Sequence, residues 1–222
     1  MKAILIGATG LIGSLLLEKL LRDPVFTHIR LISRNPCGIK NEKLDEVLID
    51  FEEETQFKEA VTAADVLFCC IGTTQKKVKG DKTAYRKIDF DIPVKAAIWC
   101  AEKNVGKYLL VSSVGADAAG KNFYLQLKGE TETAVLQQPI GMVYIMRPSI
   151  LLGKRNEFRV LESAGKGVMQ FFSVLLVGSL SKYRAIQATD VAGAMLAASK
   201  KTNPGKFICH YKEIKSMAKT QG

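Results

Sequence analysis

Short β-branched or apolar runs recur along the chain, and longer helical patterns separate them. The runs are AILIG, HIRLIS, EVLID, DVLFCCIG, KYLLVSS, GMVYIMR and a terminal KFICHY. The helical patterns fall at roughly 11–22, 55–63, 82–103, 123–137, 156–172 and 189–200. Several runs are apolar throughout instead of alternating, as strands covered on both faces should be. Strand, helix, strand in this many repetitions implies an α/β fold: a doubly wound parallel sheet of about seven strands with right-handed crossovers. Such a sheet binds ligands at the carboxyl ends of its strands.

No repeat, low-complexity segment or linker divides the 222 residues. The chain therefore reads as a single domain, 1–222, with 154–188 as a small C-terminal cap over the substrate. The longest apolar stretch, Val168 to Leu180, contains Gln170 and Ser173 and falls short of the ~20 residues of a membrane helix. The N-terminal apolar stretch is broken by glycines and Glu18, unlike a secretory signal. Five cysteines form no CxxC spacing, and the adjacent Cys69 and Cys70 should point to opposite faces of a strand. They read as reduced core thiols of a cytoplasmic protein. His28 and His210 have no ligands at metal spacing, so no metal site is expected. The net charge of +10 is spread along the chain, and its densest patch, KKVKGDK, is short and free of aromatics. It reads as a solvated basic surface that favours an anionic ligand, with nucleic-acid binding left open.

The heptapeptide GATGLIG follows the first run and opens the first helical pattern. Three glycines are costly to order, so a close approach or a ligand must justify them. Its residues (Gly7, Ala8, Thr9, Gly10, Leu11, Ile12 and Gly13) would place amides of a helix N-terminus against a pyrophosphate. The spacing is GxxGxxG instead of GxGxxG. Where an NAD site would carry an acidic residue at the end of the second strand, this chain has Ser33 and Arg34. A guanidinium there suits a 2′-phosphate, so NADP(H) is favoured over NAD(H). Asp50, closing VLID, is placed to meet the adenine edge. Gly72 and Thr73, after the fourth run, permit close approach to the cofactor's middle.

Further on, KYLLVSSVGADAAGKNFYLQLKGETE sets a serine pair at a strand end before Tyr124 and Lys128 on one helical face. An ammonium beside a phenol favours the phenolate, which suits a general acid working near neutral pH.

Together GATGLIG, FCCIGTT, VSSVGAD, NFYLQLKGE and RPSILLG resemble the short-chain dehydrogenase/reductase superfamily in its extended and atypical branches. The resemblance is nearest to the small Tat-interacting oxidoreductase-like branch, and it covers essentially the whole chain. It implies a Rossmann-like fold, with Tyr124 as acid/base and Lys128 binding the nicotinamide ribose. By the same resemblance Ser113 would hold the substrate carbonyl, with Ser112 as fallback, and the backbone around Pro148 to Ile150 would contact the carboxamide. Many members carry a relay asparagine on the preceding helix; KIDFDIP offers Asp89 as the nearest match. The interval from Ser113 to Tyr124 is one or two residues tighter than many members show.

The function expected is hydride transfer between NADP(H) and a small carbonyl or alcohol through a Ser-Tyr-Lys site. The alternative is an NADPH-binding regulator that acts through a protein partner with little turnover. Sugar-nucleotide chemistry is disfavoured because so short a chain leaves little for a nucleotide-sugar lobe. A homodimer or a protein partner is compatible with either reading. Phe171, Phe172, Leu175 and Leu176 could line a substrate pocket, join the core or meet a partner or membrane surface.

Overall fold

Strand β1 (Lys2–Ile6) lies inside a seven-stranded parallel sheet, third from one edge. The computed structural model describes residues 1–74, 77–153 and 178–220. The other sheet strands are β2 (His28–Ser33), β3 (Leu44–Leu48), β4 (Val66–Cys69), β5 (Lys107–Val111), β6 (Met142–Met146) and β9 (Gly205–Cys209), in the order β3-β2-β1-β4-β5-β6-β9. The order reverses between β1 and β4, and ligands of doubly wound sheets bind at that switch point. A separate two-residue parallel pair joins β7 (Leu151–Leu152) to β8 (Ile186–Gln187).

Burial explains the runs. Every residue of β4 and β6 is buried, because helices cover both faces, so neither strand alternates. The edge strands β3 and β9 are only partly covered. One face carries Leu5, Leu31, Phe68 and Met146 against α1 (Leu11–Arg22), α6 (Ala188–Ser199) and α7 (Tyr211–Lys219). The opposite face packs Ile4, Leu67, Tyr108 and Val143 against α2 (Glu54–Ala60) and α4 (Ile92–Glu102), where Phe57 meets Trp99 edge-on at 4.5 Å. Cys69 belongs to this second cluster and Cys70 packs on the first, so the pair divides between the faces as expected. The five cysteines are free thiols.

The pattern over 82–103 is a composite rather than one helix. Asp81 caps α3 (Lys82–Arg86) by accepting from the amides of Thr83 and Ala84, and a π-helical turn, Lys87–Asp91, then leads into α4. The cause is Pro93. It has no N–H to offer the carbonyl four residues back, that of Asp89, and its ring crowds that oxygen. The Thr131 hydroxyl, from α5 (Phe123–Leu136), donates to the Asp89 carbonyl at 3.0 Å instead.

After the last strand the chain forms α7, which the sequence reading did not anticipate. Its signal was present: Glu213 accepts from the His210 amide at 2.9 Å in a capping box, and Ile214 is buried. The expected helix at 156–172, most of the expected cap and most of the Val168 to Leu180 segment lie outside the described residues.

Candidate functional site

The loop between β1 and α1 is shaped by close backbone approach. Gly7 has φ +88°, and a Cβ there would stand 2.7 Å from the Cys70 carbonyl carbon. A Cβ on Gly13 would stand 2.1 Å from the Gly7 carbonyl oxygen, so the first turn of α1 lies directly on the loop. Gly10 caps α1 without a side-chain bond, and no acidic residue occupies the first turn. The helix N-terminus is thus a cradle with unclaimed amides and no negative charge, which fits a pyrophosphate.

Gly7, Ala8, Thr9, Gly10, Ser33, Arg34, Gly72 and Thr73 line one cleft of about 170 Å³, joined by Asn35, Phe51, Lys77 and Ile88. Leu11, Ile12 and Gly13 back it from within α1 rather than line it. Arg34 is exposed and takes no ion pair among the described residues. The Ser33 hydroxyl donates to the Asn35 carbonyl at 2.9 Å. Asp50 stands in an adjoining cleft of about 200 Å³ that shares Arg34, Phe51 and Ile88 with the first. Sequence reasoning missed Phe51, Lys77 and Ile88, whose residue types carry no motif.

The chemical end is built on α5. Asn122 caps it through the Leu125 amide, which places Tyr124 in the first turn and Lys128 one turn on. Gly129 is the reason α5 can seat there: a Cβ on it would stand 2.1 Å from the Ala118 amide nitrogen. The loop after β5 is therefore clamped to α5, with the Asp117 amide donating to the Leu125 carbonyl at 3.0 Å. That loop carries Ser113, whose hydroxyl donates to the Val114 carbonyl at 3.3 Å. The Ser112 hydroxyl turns away and donates to Glu132, a buried carboxylate that also receives the Arg147 guanidinium. Pro148 is buried and its carbonyl accepts from the Val114 amide at 2.9 Å; Ile150 is exposed and its carbonyl accepts from the Ile186 amide.

Lys128 is buried and pairs with Asp89 at 2.8 Å. Burial pushes the ammonium towards neutrality, but the Asp89 carboxylate, then Tyr124, outweigh it and hold Lys128 above its ordinary value. The second Asp89 oxygen accepts from the Thr73 amide at 2.8 Å, at the rim of the cleft. Tyr85 is buried beside Tyr124, with ring centroids 6.3 Å apart and near-perpendicular planes, and its hydroxyl donates to the Thr73 carbonyl. The cleft, Asp89, Lys128 and Tyr124 thus form one connected region. The described cleft does not itself reach Ser112, Ser113, Tyr124, Lys128, Pro148 or Ile150. Among the described residues no cluster of His, Cys, Asp and Glu could hold a metal ion, and no helix is long and apolar enough to cross a membrane.

A family model described as NAD(P)H-binding matches residues 7–202. Protein HTATIP2 of Rattus norvegicus is 32% identical over 195 residues, covering 86% of this chain and 78% of the rat protein. Protein FMP52, mitochondrial, of Kluyveromyces lactis is 34% identical over 159 residues, 70% of each chain. Among solved structures, MoeE5 in complex with UDP-glucose and NAD superposes with a TM-score of 0.70 at 15% identity, covering 99% of this chain and 81% of MoeE5. These matches establish a nicotinamide-dinucleotide-binding fold. They also correct the expected cytoplasmic location: relatives from several yeasts and another fungus are named as mitochondrial proteins. The expectation rested on unpaired cysteines and an unbroken globular pattern, neither of which is an address, because targeting is read from segments independent of the core.

Proposed function

The chain belongs to the NAD(P)H-binding family, as an atypical member of the short-chain dehydrogenase/reductase superfamily, and from that premise we propose an NADP(H)-dependent oxidoreductase acting on a small carbonyl or alcohol through Ser113, Tyr124 and Lys128. The observation that carries this reading is the start of α5, where Tyr124 precedes by one turn Lys128, a buried lysine paired with Asp89 at 2.8 Å. A buried charge is expensive, and beside a proton-donating phenol it has a use beyond holding the ribose: it lowers the cost of the phenolate.

The amides of Leu11, Ile12 and Gly13 in the first turn of α1 would face the pyrophosphate, with Ala8, Thr9 and Gly10 shaping the loop around it, the Gly10 amide being spent on the Gly7 carbonyl at 3.0 Å. Arg34 would pair with a 2′-phosphate, and Ser33 would orient the loop that carries it. Asp50 would face the adenine edge, Gly72 and Thr73 the middle of the dinucleotide, and the backbone from Pro148 to Ile150 the carboxamide. When bound, the nicotinamide supplies the hydride. Ser113 would hold the substrate carbonyl oxygen, while the Tyr124 phenol gives that oxygen its proton. The Lys128 ammonium stabilises the phenolate left behind and would hold the ribose. Ser112 would contribute to the cofactor side through its backbone, since its hydroxyl is engaged with Glu132.

The test is a panel of small aldehydes and ketones, followed by NADPH absorbance with wild type and Tyr124→Phe. Loss of the proton donor should lower kcat/KM by about 10²–10⁴-fold. Equal turnover in the variant would remove Tyr124 from the chemistry, and tight NADPH binding with no turnover of any carbonyl would favour a cofactor-binding regulator.

A further inference from the structure

Asp89 sits where three parts of the molecule meet. Its carbonyl belongs to the π-helical turn that Pro93 forces, and Thr131 of α5 satisfies it. One carboxylate oxygen contacts the Lys128 ammonium, and the other accepts the Thr73 amide at the cleft rim, each at 2.8 Å. Among the described residues Lys128 is all that the first oxygen has. Among the described residues, Tyr124 from α5 and Cys69 from β4 are the other titratable groups that act on Lys128 most strongly. Gly72 lies over the pair, where a Cβ would come 3.5 Å from the Asp89 oxygen and 4.0 Å from Lys128 Nζ.

We propose that Asp89 is a positioning residue which ties the acid/base helix to the rim of the cofactor cleft, one oxygen fixing Lys128 and the other fixing Thr73. This builds on the assignment of Lys128 to the reactive site. A relay asparagine could not do the same: its amide can accept from Thr73, but its NH₂ would face the ammonium donor to donor. The π turn is what brings the carboxylate inward, so Pro93 and Thr131 serve the same placement.

In wild type Lys128 is held above its ordinary value, so its stabilisation is complete below the unfolded lysine value, about 10.4, and disappears as pH rises through the folded value. Asp89→Asn keeps an acceptor for Thr73 but removes the charge, leaving burial to dominate. Lys128 should then ionise below its unfolded value, and the folded state should gain stability as pH climbs towards that value. The wild-type curve falls at alkaline pH while the variant curve rises before it.

The experiment uses the full chain without cofactor. The ε-carbon resonance of Lys128, assigned by its loss in Lys128→Met, is titrated by NMR, and denaturation midpoints are recorded across the same pH range. In Asp89→Asn the resonance should titrate at least roughly one pH unit lower, with the opposite slope of stability against pH. An unmoved titration with parallel stability curves would overturn the proposal. Should Asp89→Asn not fold, Asp89→Asn/Lys128→Met is compared with Lys128→Met alone. The double variant should be the more stable, because the single one strands a buried carboxylate; a double variant no more stable would equally overturn the proposal. Neither readout requires turnover, so the oxidoreductase reading stands or falls separately on Tyr124→Phe.

Discussion

Adding a methyl at Gly13 would force it to within 2.1 Å of the Gly7 carbonyl oxygen, a backbone atom that cannot swing aside. Gly13→Ala should therefore destabilise the fold by about 1–3 kcal/mol in urea denaturation and open the cradle at the head of α1. Arg34 acts at the same scale but on affinity alone. It is exposed and takes no ion pair among the described residues, so its removal disturbs no packing. Fluorescence titration of Arg34→Ala should show NADPH binding weakened about tenfold or more, with NADH binding nearly unchanged, since only the former offers a phosphate to the guanidinium fork. Ser112 was legible as a strand-end serine, but not that its hydroxyl would turn to Glu132. That choice depends on Arg147, a residue far along the chain that brings its charge to the same buried carboxylate.

The strands of the large sheet were read to within three residues at each end, most clearly β4 and β6, where burial on both faces leaves only apolar residues, while the short pair of β7 and β8 was not anticipated. The helices were less transparent. From 82 to 103 one periodic pattern conceals a capped turn, a π turn and α4, and the break is set by Pro93 acting four residues upstream. Proline inside an apolar helical pattern was the available warning. Thr131 now completes that break, so Thr131→Val should cost about 1–3 kcal/mol by leaving the buried Asp89 carbonyl without its donor. The last helix, α7, escaped notice because it is short and mostly polar, although Tyr211, Ile214 and Met217 recur at helical spacing and pack on the core. Its capping box was the better sign. Glu213→Ala should remove about 0.5–2 kcal/mol if the cap holds this terminal element against α6.

Across the whole molecule, parallel strands and two covered faces bury most of the thiols. Burial pushes Cys69, Cys70 and Cys100 upward, and Cys209 up to about 11, well away from the reactive thiolate. Cys37, in the loop after β2, is only partly covered, although burial raises it as well. A thiol reagent at neutral pH should reach only the partly covered Cys37 and Cys70 in the native protein, and Cys69, Cys100 and Cys209 only on unfolding, which mass spectrometry can count. At this scale the sheet and its ligand-binding edge were readable from alternation and GATGLIG alone. The ion pair between Asp89 and Lys128 was not, because it joins two helices whose approach is set by the sheet between their strands. Hydride transfer to a carbonyl is the reaction proposed for this site, and NADPH deuterated at the transferable position, incubated with the protein and a carbonyl substrate, follows that hydride into the product. Deuterium should appear on the carbinol carbon of the product with wild type and be nearly absent with Tyr124→Phe; binding of NADPH with no label in any product would rule the reaction out.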